Sequence, residues 1–173
     1  MSEYVKSKIR NIVDFPKKGI IFRDITTACK DPRALKEIIE YFTEQFKDKE
    51  IDYIAAVESR GFIFGSPLAV NIGAGLILIR KPGKLPSEVV SQEYALEYGT
   101  DKIEMHKDAI EEGKKVLVID DLLATGGTIA AACKLVKKVG GIPVACAFVI
   151  ELEALKGREK IDSDIQVISM LKY

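Results

Sequence analysis

The run Val116-Leu117-Val118-Ile119 contains no polar residue, and three of its four members are β-branched. A run of that kind fits a strand covered on both faces, as in a parallel sheet with helices above and below. Two carboxylates, Asp120 and Asp121, stand at its end. After Leu122-Leu123 comes a small-residue loop, Ala124-Thr125-Gly126-Gly127-Thr128. From Ile129 to Val139 the apolar residues then recur at helical spacing. A strand, an acidic step, a glycine-bearing turn and a helix start describe an anion site at the carboxyl edge of an α/β sheet.

Strand and helix signals alternate along the rest of the chain. Tyr4–Ile12 places Val5, Ile9 and Ile12 at helical spacing, which predicts a short amphipathic helix. Asp14–Thr27 carries Pro16 and Gly19, then Ile20-Ile21-Phe22 and Arg23-Asp24, which predicts an ordered loop or a short strand. Asp31-Pro32 supplies an N-cap and an N1 proline to a helix. Leu35, Ile38, Ile39, Phe42 and Phe46 form its apolar stripe. Ile51–Val57 is a predicted strand that ends on Glu58-Ser59-Arg60-Gly61, and Phe62–Val70 is a predicted helix. Gly75–Arg80 is a third strand. Lys81–Asp101 opens with two prolines and a glycine and reads as a two-stranded flap outside the sheet. Excursions this long in compact domains are usually functional. Gly140-Gly141 ends the helix that follows the glycine loop. Pro143–Ile150 and Ile165–Ser169 are further strands, with a helical turn or loop over Glu151–Arg158. The expected fold class is α/β with a mostly parallel sheet, in one domain, because 173 residues suit a single core.

Composition removes several function classes. Lys+Arg and Asp+Glu number 26 each, and a net charge of zero argues against a general nucleic-acid binder. Cys29, Cys133 and Cys146 are odd in number and form no CxxC pair. They read as reduced structural thiols, which suit the cytoplasm. The N-terminus lacks the apolar segment of a secretory signal, and no apolar run reaches the roughly 18 residues of a membrane span. His106 is the only histidine, so no HExxH site exists, and a Ser-His-Asp triad would depend on that residue alone. A structural or solvated role is expected for it. No G-x-x-x-x-G-K-[ST] is present, and Gly73-Ala74-Gly75 lacks the third glycine of a dinucleotide fingerprint.

The chemistry of the opening stretch is more specific. Ala124–Thr128 can turn successive backbone N–H groups toward one anion, with Gly126 and Gly127 permitting close approach. Thr125 and Thr128 add hydroxyl donors, and the helix N-terminus adds partial positive charge. A phosphate monoester is the natural occupant, and a side chain at Gly127 is expected to obstruct it. Asp120 and Asp121 repel a phosphate but accept hydrogen bonds from hydroxyls, which a ribose offers. Phosphate and ribose side by side make a phosphoribosyl group.

VLVIDDLLATGGT resembles the phosphoribosyl-pyrophosphate motif of the type I phosphoribosyltransferases. Other matching pieces are DFPKKGIIFRDIT at Asp14–Thr26, ESRGFIFG at Glu58–Gly65 and LIRKPGKLP at Leu78–Pro86. LEYGTDKIEMHKDAI at Leu96–Ile110 and ELEALKGREK at Glu151–Lys160 complete the set. They stand in that family's order and resemble its adenine-using members. The resemblance implies the type I phosphoribosyltransferase fold, with an N-terminal hood over residues 1–30 and a flexible flap over residues 81–101. It implies a purine-salvage reaction: adenine and phosphoribosyl pyrophosphate give AMP and pyrophosphate through an oxocarbenium-like transition state. It further implies Mg²⁺ carried on substrate oxygens and water near Asp120 and Asp121, with no direct protein ligand, and a homodimer.

The same resemblance distributes roles. Asp120 and Asp121 face the developing sugar charge, and Ala124, Thr125, Gly126, Gly127 and Thr128 hold the 5′-phosphate. Ser59, Arg60, Gly61, Lys81 and Lys84 attend the pyrophosphate, with Arg60 among the catalytic residues. Backbone groups of Ile21 and Arg23 read the adenine edge, while Phe22 or Leu152 packs the ring. Glu97, beside Tyr98 in the flap, is the general base for the N9 proton. Two alternatives remain at this point: a related enzyme using xanthine or hypoxanthine/guanine, or a non-enzymatic regulator with this fold. The hood segment argues against the first. The lack of spare length and of excess positive charge argues against the second.

Overall fold

Strand β7 (Lys115–Leu123) is the middle member of a five-stranded parallel sheet. The sheet order is β4 (Gly75–Ile79), β3 (Tyr53–Val57), β7, β8 (Ile142–Glu151), β9 (Gln166–Lys172). The computed structural model describes residues 3–95 and 99–173. Val116 through Ile119 are fully buried, as an apolar run in a parallel sheet requires. Successive side chains point to opposite faces of a strand. Leu117 and Ile119 therefore join a core with Ile38, Phe42, Phe46, Phe64 and Leu68. Val116 and Val118 join a second core with Ile103, Met105, Ile129, Leu135 and Val136. Helices α1 (Glu3–Lys8), α3 (Pro32–Phe46) and α4 (Gly61–Ile72) contribute to the first layer. Helix α5 (Gly127–Lys138) contributes to the other.

The central strand runs past its apolar segment. Pairing with β3 stops at Ile119, whereas pairing with β8 continues through Asp120, Leu122 and Leu123. Asp120 and Asp121 thus lie inside β7, beyond the last rung it shares with β3. The chain also reverses direction here. From β3 it steps outward to β4, then returns to β7 and proceeds through β8 and β9. The gap between β3 and β7 is the topological switch point, where open α/β sheets bind ligands.

The N-terminal helix is shorter than its spacing predicts. It ends at Lys8, and β1 (Arg10–Val13) pairs antiparallel with β2 (Ile21–Asp24). Ile12 and Val13 are β-branched and suit a strand. The deciding contact is long-range: Arg10 Nε and Nη2 donate to Asp24 Oδ2 at 3.0 and 2.5 Å. Asp24 Oδ1 accepts from the Thr26 amide and hydroxyl at 2.9 and 2.6 Å, at the start of α2 (Thr26–Lys30). Phe15 stays half exposed and meets Phe22 edge-on at 5.3 Å, so this hairpin stands off the core. The Thr26 hydroxyl foremost, then Arg10, hold the Asp24 pKa down to about 2. A carboxyl whose folded pKa lies below its unfolded value stabilises the fold above that value. The contribution disappears as pH falls from about 4 through about 2. Thermal unfolding across that range should show less acid sensitivity in Asp24→Asn than in the parent protein. Parallel curves would remove Asp24 from the account.

Asp31 caps α3 as its sequence predicts, accepting from the Arg33 and Ala34 amides at 3.0 Å each. The flap hairpin, β5 (Val89–Ala95) and β6 (Thr100–His106), pairs from Val89↔His106 to Ala95↔Thr100. It ends later than the expected Asp101, because Ile103 and Met105 on the returning strand are buried in the α5-side core. Cys133 and Cys146 are buried free thiols with their sulfurs 3.5 Å apart, and Cys29 is a free, half-buried thiol.

Candidate active site

The switch point holds two hollows that meet. The first, of about 260 Å³, is lined by Ser59, Arg60, Lys81, Tyr94, Asp120, Asp121 and Thr128, among others. The second, of about 80 Å³, is formed by Asp120 and the run from Leu122 to Ile129. Asp120 and Thr128 belong to both. Gly61 starts α4 hard against the central strand. A Cβ there would lie 2.8 Å from the Ile119 carbonyl oxygen.

The smaller hollow is shaped by missing side chains. Gly126 has φ +79°, and a Cβ on it would lie 2.2 Å from the Gly157 carbonyl oxygen. A Cβ on Gly157 would in turn lie 2.4 Å from the Ala124 carbonyl oxygen. The loop and the turn Gly157–Lys160 are therefore wedged backbone to backbone. Arg158 fixes that turn. It forks onto the buried Glu151 carboxylate at 2.5 and 2.6 Å, and also donates to the Val167 carbonyl at 3.0 Å and the Ser169 hydroxyl at 3.2 Å. A Cβ on Gly127 would point instead at the flap, 3.3 Å from the Ala95 carbonyl oxygen. Helix α5 begins at this loop with no acidic residue in its first turn, so its N-terminal partial charge is free for an anion.

Charges in the larger hollow are paired across elements. Arg60 Nε donates to Asp121 Oδ2 at 2.5 Å, and the Asp121 amide donates to Asp120 Oδ1 at 2.8 Å. Burial foremost, then the neighbouring Asp121 charge, pushes the Asp120 pKa well above the usual carboxylate value. Burial disfavours the Arg60 charge, but Asp121 more than offsets that and the Arg60 pKa is raised. Lys81 Nζ is ion-paired with Asp101 Oδ2 and donates to the Tyr94 hydroxyl at 3.1 Å. The Tyr94 hydroxyl donates to the same Asp101 oxygen at 3.0 Å. Glu58 accepts from the Lys81 amide at 2.9 Å and from Arg80 at 3.2 Å, twice. The buried Glu104 accepts from the Gly83 amide at 3.1 Å. Two carboxylates thus hold the lysine-bearing loop in place.

Ser59-Arg60, Lys81 and Asp120-Asp121, three separate stretches of the chain, line one hollow. Ala124, Thr125, Gly126 and Gly127 line the adjoining one. Lys84 is exposed and lines neither. Ile21 is nearly half exposed and Phe22 is half buried. The Arg23 guanidinium lies over the Tyr173 ring at 4.2 Å. The Tyr173 amide donates to the Glu151 carbonyl, and its carbonyl accepts from the Glu153 amide, both at 2.9 Å. The Leu152 amide donates to the Leu123 carbonyl at 2.9 Å. Arg23 and Leu152 are therefore linked through the Tyr173 segment at the carboxyl edge of the sheet. Glu97 and Tyr98 lie outside the described residues. Sequence reasoning gave no role to Tyr94, Asp101, Gly157 or Arg158. The one available signal was ELEALKGREK, a noted segment with a lone glycine, but its contact with the loop is visible only in three dimensions.

The phosphoribosyl transferase domain family matches residues 26–172. Adenine phosphoribosyltransferase 1 of Triticum aestivum is 57% identical over 159 residues, spanning 92% of this chain and 88% of the relative. The crystal structure of adenine phosphoribosyltransferase from Thermoanaerobacter pseudethanolicus matches with a TM-score of 0.95 at 52% identity, covering 99% of each chain. The Saccharomyces cerevisiae adenine phosphoribosyltransferase was crystallised with an imino-altritol bisphosphate and adenine. It matches with a TM-score of 0.92 at 39% identity, covering 98% of this chain and 97% of that one.

Proposed function

The chain belongs to the phosphoribosyltransferase family, and from that premise we propose that it joins adenine to the ribose of phosphoribosyl pyrophosphate, giving AMP and pyrophosphate. The observation that carries this reading is the continuity of the two hollows through Asp120 and Thr128. One end suits a phosphate monoester, the middle a sugar, and the other end a polyanion.

The 5′-phosphate sits on the N–H groups of Ala124–Thr128 and the hydroxyls of Thr125 and Thr128. Asp120 and Asp121 accept from the ribose hydroxyls. Adenine N9 forms a bond to ribose C1 as the bond from C1 to the pyrophosphate oxygen breaks. The sugar becomes cationic between these events, and two fixed carboxylates beneath it stabilise that charge more than the ground state. The departing oxygen takes its electron pair into pyrophosphate, held by Ser59, Arg60, the Gly61 amide and Lys81, with the exposed Lys84 adding long-range positive charge. The N9 proton passes to Glu97. Backbone N–H and C=O groups of Ile21 and Arg23 match the N1 acceptor and N6 donor of adenine, and Phe22 or Leu152 covers the ring. A 6-oxo purine reverses both polarities and leaves buried groups unsatisfied at about 1–3 kcal/mol each. The β5–β6 hairpin, as flap, excludes water that would otherwise hydrolyse the activated sugar.

Mg²⁺ takes six oxygen ligands and keeps several waters. Among the described residues no three His, Cys, Asp or Glu side chains converge, and Asp121 is engaged by Arg60. With that donor set the ion would ride on pyrophosphate and ribose oxygens, and Asp120 and Asp121 would contact it largely through water. When bound, the ion neutralises the charge gathering on the leaving group. The whole chain reads as one domain, with the β1–β2 hairpin as hood. The free thiols support a cytoplasmic setting and the family supports a homodimer. Among the described residues no helix is long and apolar enough to cross a membrane.

The test is a base panel with phosphoribosyl pyrophosphate and Mg²⁺. AMP should form from adenine, and chelating the metal should stop it. Turnover of hypoxanthine as fast as adenine would refute the base assignment.

A further inference from the structure

We propose that Asp101 is a positioning residue that limits how tightly Lys81 grips pyrophosphate, and so favours release of that product. The inference rests on the reading above that Lys81 touches the pyrophosphate. Lys81 lines the larger hollow, and its ammonium has three N–H groups. Asp101 Oδ2 and the Tyr94 hydroxyl engage it at one side, while Tyr94 donates to the same Asp101 oxygen. These groups close a triangle, which leaves one N–H for the hollow. Asp101 cannot simply follow the ammonium. Its Oδ1 accepts from the Lys102 amide at 2.7 Å, and it stands directly opposite Tyr94 in the hairpin register. The root of Lys81 is equally fixed, since its amide donates to Glu58. The ammonium is thus stretched between two anchored points.

Charge bookkeeping gives the consequence. Pyrophosphate is a polyanion, and two bare cations in a half-buried hollow would hold it strongly. Neither cation here is bare. Asp121 shares Arg60, and Asp101 shares Lys81. Asp121 has a second duty under the ribose. Asp101 has none: it does not line the hollow, and it reaches the substrate only through Lys81. The acid therefore tunes the lysine without touching the reacting atoms. Asparagine at this position keeps the volume and leaves one oxygen to accept from the Lys102 amide, but sets an NH2 group where Oδ2 faced Lys81 and Tyr94, so charge and acceptor are withdrawn from the lysine together.

The test is a double-substitution cycle read by calorimetric titration with inorganic pyrophosphate and Mg²⁺, with AMP as a control ligand. Asp101→Asn should bind pyrophosphate about five-fold tighter, the scale of one partly exposed ion pair. Its affinity for AMP should be unchanged. In a Lys81→Gln background the same Asp101→Asn change should have no effect. Unchanged or weaker pyrophosphate binding in Asp101→Asn overturns the proposal. So does an equal gain in the Lys81→Gln background, which would mean direct repulsion between Asp101 and the product. If Lys81→Gln alone leaves pyrophosphate affinity intact, the assignment of Lys81 to the pyrophosphate fails first, and this inference falls with it.

Discussion

Gly126→Ala should raise the KM for phosphoribosyl pyrophosphate by on the order of a hundredfold, the usual consequence of displacing a positioning group by about 1 Å. Two independent costs act at this residue. Its φ of +79° is a left-handed conformation that an alanine adopts at about 1–2 kcal/mol. Its Cβ would also lie 2.2 Å from the Gly157 carbonyl oxygen, well inside contact distance and against main chain that Arg158 holds in place. With the Gly157 turn tied down by Arg158, the loop itself must yield, which displaces the N–H groups meant for the phosphate. Gly157→Ala approaches from behind, with its Cβ 2.4 Å from the Ala124 carbonyl oxygen. It should shift the same KM although no substrate touches it. Initial-rate kinetics at saturating adenine measure both variants, with circular dichroism to confirm folding. A normal KM in Gly126→Ala would separate this loop from the phosphate. The structure moves the steric argument from Gly127, whose side-chain direction faces the flap, to Gly126, whose direction faces a wall.

The paired change Asp120→Asn with Asp121→Asn should lower kcat by on the order of 10²–10³, as loss of fixed transition-state electrostatics does elsewhere. Binding of inorganic phosphate should change far less, because the loop from Ala124 to Thr128 that receives it keeps its N–H groups and hydroxyls. An unaltered kcat would remove these carboxylates from beneath the ribose. Asp120→Asn alone carries an opposite expectation for stability. Burial and the adjacent Asp121 raise the Asp120 pKa, so its ionised form is disfavoured in the folded chain. The stability it allows is complete below the ordinary carboxylate pKa and is lost as pH rises through the raised folded value. At neutral pH the asparagine should melt higher, by about 2–4 °C for each kcal/mol relieved in a domain of this size. Lower kcat with higher Tm is the signature of a charge kept for chemistry at the expense of the fold. Differential scanning calorimetry at pH 7 checks it, and a Tm below the parent would refute it.

What was legible beforehand divides by range. The covered strand and the anion loop are written in consecutive residues, and the parity of Val116 to Ile119 assigns each to a face. The length of β7 is not written there. Its last residues stay in the sheet because β8 continues alongside them. Tyr4–Ile12 overran as a helix because Ile9 and Ile12 satisfy that spacing, while the Arg10–Asp24 contact that ends it lies across a hairpin. The flap ended too early on paper because the burial of Ile103 and Met105 is a tertiary fact. The same holds at the site. Arg60 and Asp120 announced themselves through local motifs. Gly157, Tyr94 and Asp101 act through neighbours distant in the chain. Glu97 was reached only through resemblance.

The wedge between Gly126 and Gly157 also bears on how such a protein tolerates change over generations. Where a pocket is walled by main chain, its outline there does not depend on which side chains stand nearby. The outline is instead vested in two absences, one on each side of a contact between segments far apart in the gene. A gain of a single methyl group at either would be felt at both. The pair is expected to drift together or not at all, and deep mutational scanning of residues 122–130 and 151–160 would reveal it as two positions that refuse even alanine.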